Sequence, residues 1–181
     1  MVSSFLFNST WDQPGYFQAM EVCFLASGKT LAVLDEMEGQ TAKEVKQALA
    51  AKVGISRFKQ RFFVEDGSHE IQDDEVLASP QLKVQLVVLE FWPPDDEETQ
   101  KMISASRYND SLRLEDLLQR PRNPNETNKD GATPLLYAAE QGHVQAMQML
   151  LEAGAKTDMP ELVTRWTPLC FSAHGGFLDA V

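Results

Sequence analysis

Between residues 20 and 92 the apolar and polar positions alternate mostly with a period of two, broken once by a helical spacing. Val22 and Phe24 alternate with Glu21, Cys23 and Leu25, which predicts a strand. Ser27-Gly28-Lys29 reads as a hairpin turn, and Leu31 and Val33 carry the alternation back. A helix follows: Thr41 stands as N-cap with Glu44 three residues later, Val45 and Leu49 share one face, and Gly54 closes it. Residues 60–64 form the next strand, residues 65–68 a turn, and residues 82–89 a long strand rich in β-branched side chains. Trp92-Pro93-Pro94 ends the strand, and Asp95-Asp96-Glu97-Glu98 reads as a solvated linker. Residues 1–19 hold Phe5, Phe7, Trp11, Tyr16 and Phe17 with no clear period, an arm of unassigned structure.

From about residue 97 the spacing becomes helical and repeats itself. Ala105 and Ala138 stand 33 apart, as do Leu117-Leu118 and Leu150-Leu151. Thr133-Pro134-Leu135 returns 34 residues later as Thr167-Pro168-Leu169. Self-similarity at this period predicts a solenoid.

Residues 128–143, with Val144 to Leu151 and Gly154-Ala155, resemble an ankyrin repeat. Gly131 permits the hairpin, and Thr133-Pro134 opens the first helix where a missing N–H costs nothing. Ala138 and Ala139 allow close approach of helices, Leu150 and Leu151 fill the inter-repeat core, and Gly154 ends the second helix. Residues 99–127 look like a capping unit without the Thr-Pro-Leu opening, residues 128–158 are the full repeat, and residues 159–181 an incomplete one. In that last unit Arg165 takes the place of the expected Gly, the turn is one residue longer, and the paired leucines are missing. The expectation is a fragment, a truncated gene model, or an end covered by a partner, since about three repeats are needed for stability. The resemblance implies partner contacts at hairpin tips and on the first helices: Lys129, Asp130, Ala132, Tyr137, Glu140, Gln141, Trp166 and Phe171. Trp166 has a second reading, packing on the neighbouring hairpin.

Residues 20–92 resemble ubiquitin. Thr41, Val45, Lys46, Gly54, Ile55, Gln60 and Arg61 match that family without a gap, and Met20 to Leu34 align with a hairpin one residue shorter. The overall expectation is an α+β, β-grasp ubiquitin-like domain, a Pro/acidic linker over residues 93–98, and an all-α ankyrin-repeat solenoid over residues 99–181. The last strand runs into Leu89-Glu90-Phe91-Trp92 instead of a diglycine, so a conjugated modifier is not implied. The resemblance carries the family's contact face onto Leu25, Phe63 and Val87, with Ala32 beside them and Gln85 replacing a histidine. Alternation points Phe62 and Val64 inward and Phe63 outward. Two readings stand: an exposed contact patch, or a face covered by residues 1–19 or by the ankyrin helices.

Composition narrows the function. A net charge of -11 over 181 residues argues against nucleic acid, which needs a basic patch. No run approaches the ~20 apolar residues of a membrane-spanning helix, and residues 1–7 make a poor signal peptide. Three glycosylation sequons, at Asn8, Asn109 and Asn125, then read as chance matches. Cys23 and Cys170 read as reduced, packed thiols, the alternative being a bridge. That reading suits a reducing compartment, the cytoplasm with the nucleus as alternative. Cys170 and His174 have helical ligand spacing, but two ligands do not make a metal site. His143 occupies a position that makes structural hydrogen bonds in ankyrin repeats, and Asp73-Asp74-Glu75 lacks the spacing of a calcium loop. No catalytic motif, cofactor motif or metal set stands out.

These readings predict a non-enzymatic adaptor whose partners are other proteins. The rivals are the N-terminal targeting part of a larger ubiquitin-pathway enzyme, and a structural subunit of a large assembly.

Overall fold

The computed structural model describes residues 20–24, 30–34, 39–64, 69–77 and 84–181. The chain divides into two compact units, Met1–Glu90 and Phe91–Val181.

In the first unit, strands β1 (Met20–Phe24) and β2 (Thr30–Leu34) precede helix α1 (Ala42–Val53). A 3-10 turn, Arg57–Lys59, leads into β3 (Gln60–Val64), followed by β4 (Glu70–Ile71) and β5 (Val84–Val88). The sheet order is β2-β1-β5-β3-β4. First and last strands lie parallel at its centre, with Val22 opposite Val84 and Phe24 opposite Leu86. The other neighbours are antiparallel. Parallel pairing requires a crossover between the strands, and the chain supplies it with α1 and the intervening strands.

Local chemistry sets the ends of α1. Glu44 N–H donates to Thr41 Oγ1 at 3.3 Å, and Thr41 N–H donates to Glu44 Oε2 at 2.7 Å. This reciprocal box satisfies two donors at the open helix start. The Thr41 backbone N–H holds the Glu44 carboxyl below its ordinary range. Gly54 closes the helix at φ 71, the left-handed region. One face of α1 then delivers Ala42, Val45 and Leu49 to a core shared with Phe62, Ile71, Leu77, Val84 and Leu86. Asp73 ties this core together: it accepts from Lys46 Nζ at 2.6 Å and Arg57 Nη1 at 3.4 Å. Both cations are buried, so the carboxylate offsets positive charge held in the interior.

Two elements escape the sequence pattern. β4 has two residues and the 3-10 turn has three, too few to show a period. The long strand expected over residues 82–89 is ordered as Val84–Val88, and residues 82–83 lie outside the described residues. So do the arm 1–19, the turns at 27–29 and 65–68, and Leu25.

The second unit holds α2 (Asp96–Arg107), α3 (Ser111–Gln119), α4 (Pro134–Glu140), α5 (Val144–Glu152) and α6 (Pro168–Gly175). A 3-10 turn, Leu178–Ala180, follows. The first helix of each pair packs on the next, α2 on α4 and α4 on α6, while α3 packs on α5. Met102, Leu114, Leu118, Leu135 and Leu150 are fully buried between them. Ala105, Ala138 and Ala139 are buried too, and their small size lets the helices approach closely.

The stretch expected as a Pro/acidic linker over residues 93–98 runs into a helix, whose first turn is residues 96–98. Asp95 caps α2, its Oδ1 accepting from Glu97 N at 3.0 Å and Glu98 N at 3.4 Å. Asp96, Glu97 and Glu98 fill the first turn, where the helix dipole favours negative charge. Lys101 Nζ then pairs with Glu97 at 2.7 Å and Glu98 at 2.8 Å. Trp92 and Pro93 belong to this unit as well: Trp92 N–H donates to the Pro121 carbonyl at 3.0 Å and Arg122 Nη1 to the Pro93 carbonyl at 3.1 Å. The division falls before Phe91, not after Trp92.

Candidate functional site

The hairpin that leads into α4 is built from short side chains and one glycine. Asn128 Oδ1 accepts from Asp130 N at 3.0 Å and Ala132 N at 2.9 Å, folding the tip, while Gly131 takes φ 74. A Cβ on Gly131 would stand 2.5 Å from Leu162 of the next hairpin, so the glycine serves both the turn and the stacking. The two tips are joined by Leu162 N–H donating to the Asp130 carbonyl at 3.0 Å. Thr133 then opens α4, its Oγ1 accepting from Leu136 N at 3.3 Å.

This frame presents a row of side chains from α2, α4 and α6. Lys129, Asp130 and Gln141 are exposed, and Glu140, Tyr137 and Phe171 half-buried, whereas Ala132 is buried. Arg107 lies 5.5 Å over the Tyr137 ring, whose hydroxyl receives Asn128 Nδ2 at 3.0 Å. Trp166 is 36% exposed and meets Phe171 edge-on at 5.1 Å and His174 at 5.0 Å. Trp166 thus has two ring partners within its own repeat unit. His143 makes an inter-repeat hydrogen bond, its Nε2 standing 3.0 Å from the Arg107 carbonyl.

Arg107 and His174 went unnoticed as surface residues in the sequence. The repeat would have located both: Arg107, Glu140 and His174 occupy equivalent positions, spaced by 33 and 34 residues. Cys170 also differs from expectation. It is exposed, not packed, and receives a hydrogen bond from Thr167 Oγ1 at 3.4 Å. That hydroxyl holds the Cys170 thiol below its ordinary range. His174 on α6 is engaged with Trp166, which lies in the hairpin before that helix. Leu151, expected in the core, is 43% exposed, while its counterpart Leu118 is fully buried.

In the first unit, alternation along β3 operates as expected. Phe62 is fully buried and Val64 packs on the core, while Phe63 is half-buried. Phe63 stands opposite Gln85 on β5, and Arg61 opposite Val87. Val87 is half-buried, and Gln85 is buried. Arg61 Nε pairs with Glu70 Oε1 at 3.1 Å beside them. Nothing is described of the Ala32 side chain or of Leu25.

Among the described residues no group of three or more His, Cys, Asp or Glu side chains is arranged to hold a metal ion. Nor, among them, is any helix long and apolar enough to cross a membrane.

Comparison with known proteins agrees with the helix pairs. Residues 102–181 match the family model described as ankyrin repeats (3 copies). The chain is 39% identical over 61 residues to mouse (Mus musculus) "Ankyrin repeat and SAM domain-containing protein 6", covering 34% of this chain and 7% of that protein. It is 40% identical over 55 residues to human (Homo sapiens) "Ankyrin repeat domain-containing protein 39", covering 30% of each. The matched stretch is thus a small part of either relative. Over residues 102–181 the chain is thus similar to ankyrin repeats, which form a helical repeat fold.

Proposed function

We propose that this chain is a non-enzymatic adaptor that holds two proteins together. The ankyrin surface binds one partner, and a ubiquitin-like module of β-grasp fold binds the other. Binding energy comes from preformed surfaces, and linkage raises the effective concentration of one partner near the other. The observation that carries the ankyrin half is the aromatic row of Tyr137 and Phe171 on the first helices with Trp166 in the hairpin before α6, partly exposed and held by hydrogen bonds and ring contacts. Tyr and Trp are enriched in interface hot spots because they bury much area at little entropy cost.

The module half is supported by the parallel pairing of β1 with β5 at the sheet centre, with one helix crossing over. The Lys46–Asp73 pair and the Thr41 capping box add to it. Phe63 and Val87, with Leu25, form the proposed contact face of that module. Other proteins are the expected partners.

Affinity capture with mass spectrometry tests the two halves separately, using the wild-type chain, Phe63→Glu and Trp166→Glu. The expected outcome is two sets of captured proteins, each lost with one substitution only. Captured sets unchanged by both substitutions would refute the adaptor reading.

A further inference from the structure

The second hairpin keeps an arginine in a conformation that the first gives to glycine. Arg165 has φ 62, and Gly131, 34 residues earlier, has φ 74. In this region a Cβ crowds the backbone, and glycine fits without that cost. Surrounding bonds impose the turn: Arg165 N–H donates to the Glu161 carbonyl at 3.0 Å, and Glu161 N–H to the Trp166 carbonyl at 3.0 Å. Folding therefore gains nothing from the arginine at this position. A strained, exposed side chain points to a use outside folding.

Its surroundings say what that use is. Arg165 has no ion-pair partner among the described residues, and neither does Arg107. Arg107 stands at one end of the aromatic row, over Tyr137, and Arg165 directly precedes Trp166 at the other. Arg107 covers Tyr137 at 5.5 Å; Phe171 holds the position equivalent to Tyr137 on α6; Trp166, next to Arg165, touches Phe171 at 5.1 Å. Neighbouring helices in such packing stand about 8–10 Å apart, so the row spans only a few residues of extended chain. Glu140 occupies the middle of the row, at the position equivalent to Arg107 and His174. Lys129 and Asp130 at the preceding tip offset each other. The centre thus disfavours a carboxylate, while each end offers a guanidinium with no ion-pair partner among the described residues.

We propose that this row binds a short extended peptide whose apolar centre is flanked by carboxylates, Arg107 taking one and Arg165 the other. Guanidinium–carboxylate pairing supplies orientation, since the planar fork accepts two oxygens at once. The proposal rests on the protein-binding reading of the ankyrin surface and names its ligand class.

The test uses a phage-displayed library of random peptides selected on the immobilised full chain. Enriched sequences are then made as free peptides, and their affinities are measured for wild type, Arg165→Gly and Arg107→Gln. The expected consensus has Asp or Glu on both sides of an apolar residue. Arg165→Gly should melt at a higher temperature than wild type yet bind at least about tenfold more weakly, the loss typical of an interface hot spot. Arg107→Gln should weaken binding comparably at an unchanged melting temperature. A consensus lacking acids, or acidic peptides bound equally by Arg165→Gly, overturns this proposal and leaves the protein-binding reading standing. Failure to enrich any peptide on this face overturns both.

Discussion

The full repeat at residues 128–158 and the unit that follows at 159–181 start from nearly the same sequence and end in different environments. Both open with Thr-Pro-Leu at the start of a helix. In the first, Leu135 is 1% exposed; in the second, its counterpart Leu169 is 53% exposed. Thr133 caps its helix through Leu136 N, whereas Thr167 makes no side-chain cap and directs its hydroxyl to Cys170. His143 reaches back to the Arg107 carbonyl, while Phe177 at the equivalent position lays its ring against Gly142 and Gly175. A Cβ on Gly142 would stand 2.5 Å from that ring. One polar tie between repeats has been exchanged for an apolar one. The comparison teaches that a repeat motif specifies local shape, and that its energetic weight depends on what packs against it.

The largest contrast is in the core. Leu135→Ala should destabilise the second unit by about 2–5 kcal/mol, as buried leucine truncations do, while Leu169→Ala should change little, within about 0.5 kcal/mol. Urea unfolding of the full chain reads both, and equal losses would break the comparison. A smaller contrast lies in the caps. Thr133→Ala should cost about 1 kcal/mol, the common value for a lost N-cap, and Thr167→Ala much less. Amide hydrogen exchange in α4 and α6 distinguishes the two.

The smallest effect concerns Cys170. The Thr167 hydroxyl lowers the thiol's pKa, which raises the thiolate fraction near neutral pH. Thr167→Val should therefore move the pH profile of Cys170 alkylation to higher pH and slow the reaction at neutral pH. An unchanged profile would show that the hydroxyl does not govern the thiol.

Much of the fold was legible because it rests on local rules. The capping box at Thr41 and Glu44, the Gly54 cap, strand 60–64 and the 33-residue repeat all depend on residues close in sequence. The acidic stretch after Pro94 misled, because four acids read equally as solvated chain and as the favoured first turn of a helix. Only the position of Asp95 relative to the Glu97 and Glu98 amides decides between them.

The candidate surface divides in the same way. Sequence by itself determined which side chains recur at first-helix and hairpin positions, and it placed Tyr137, Glu140 and Phe171 on the helices and Trp166 at a hairpin tip. Tertiary structure alone decided how much of each stays open. It turned Trp166 onto Phe171 and His174, exposed Cys170 and Leu151, and left Arg165 in the left-handed region. The physical reason is that helix and turn propensities act over three or four residues. Burial and ring contacts depend on which elements pack side by side, and no short window of sequence contains that information.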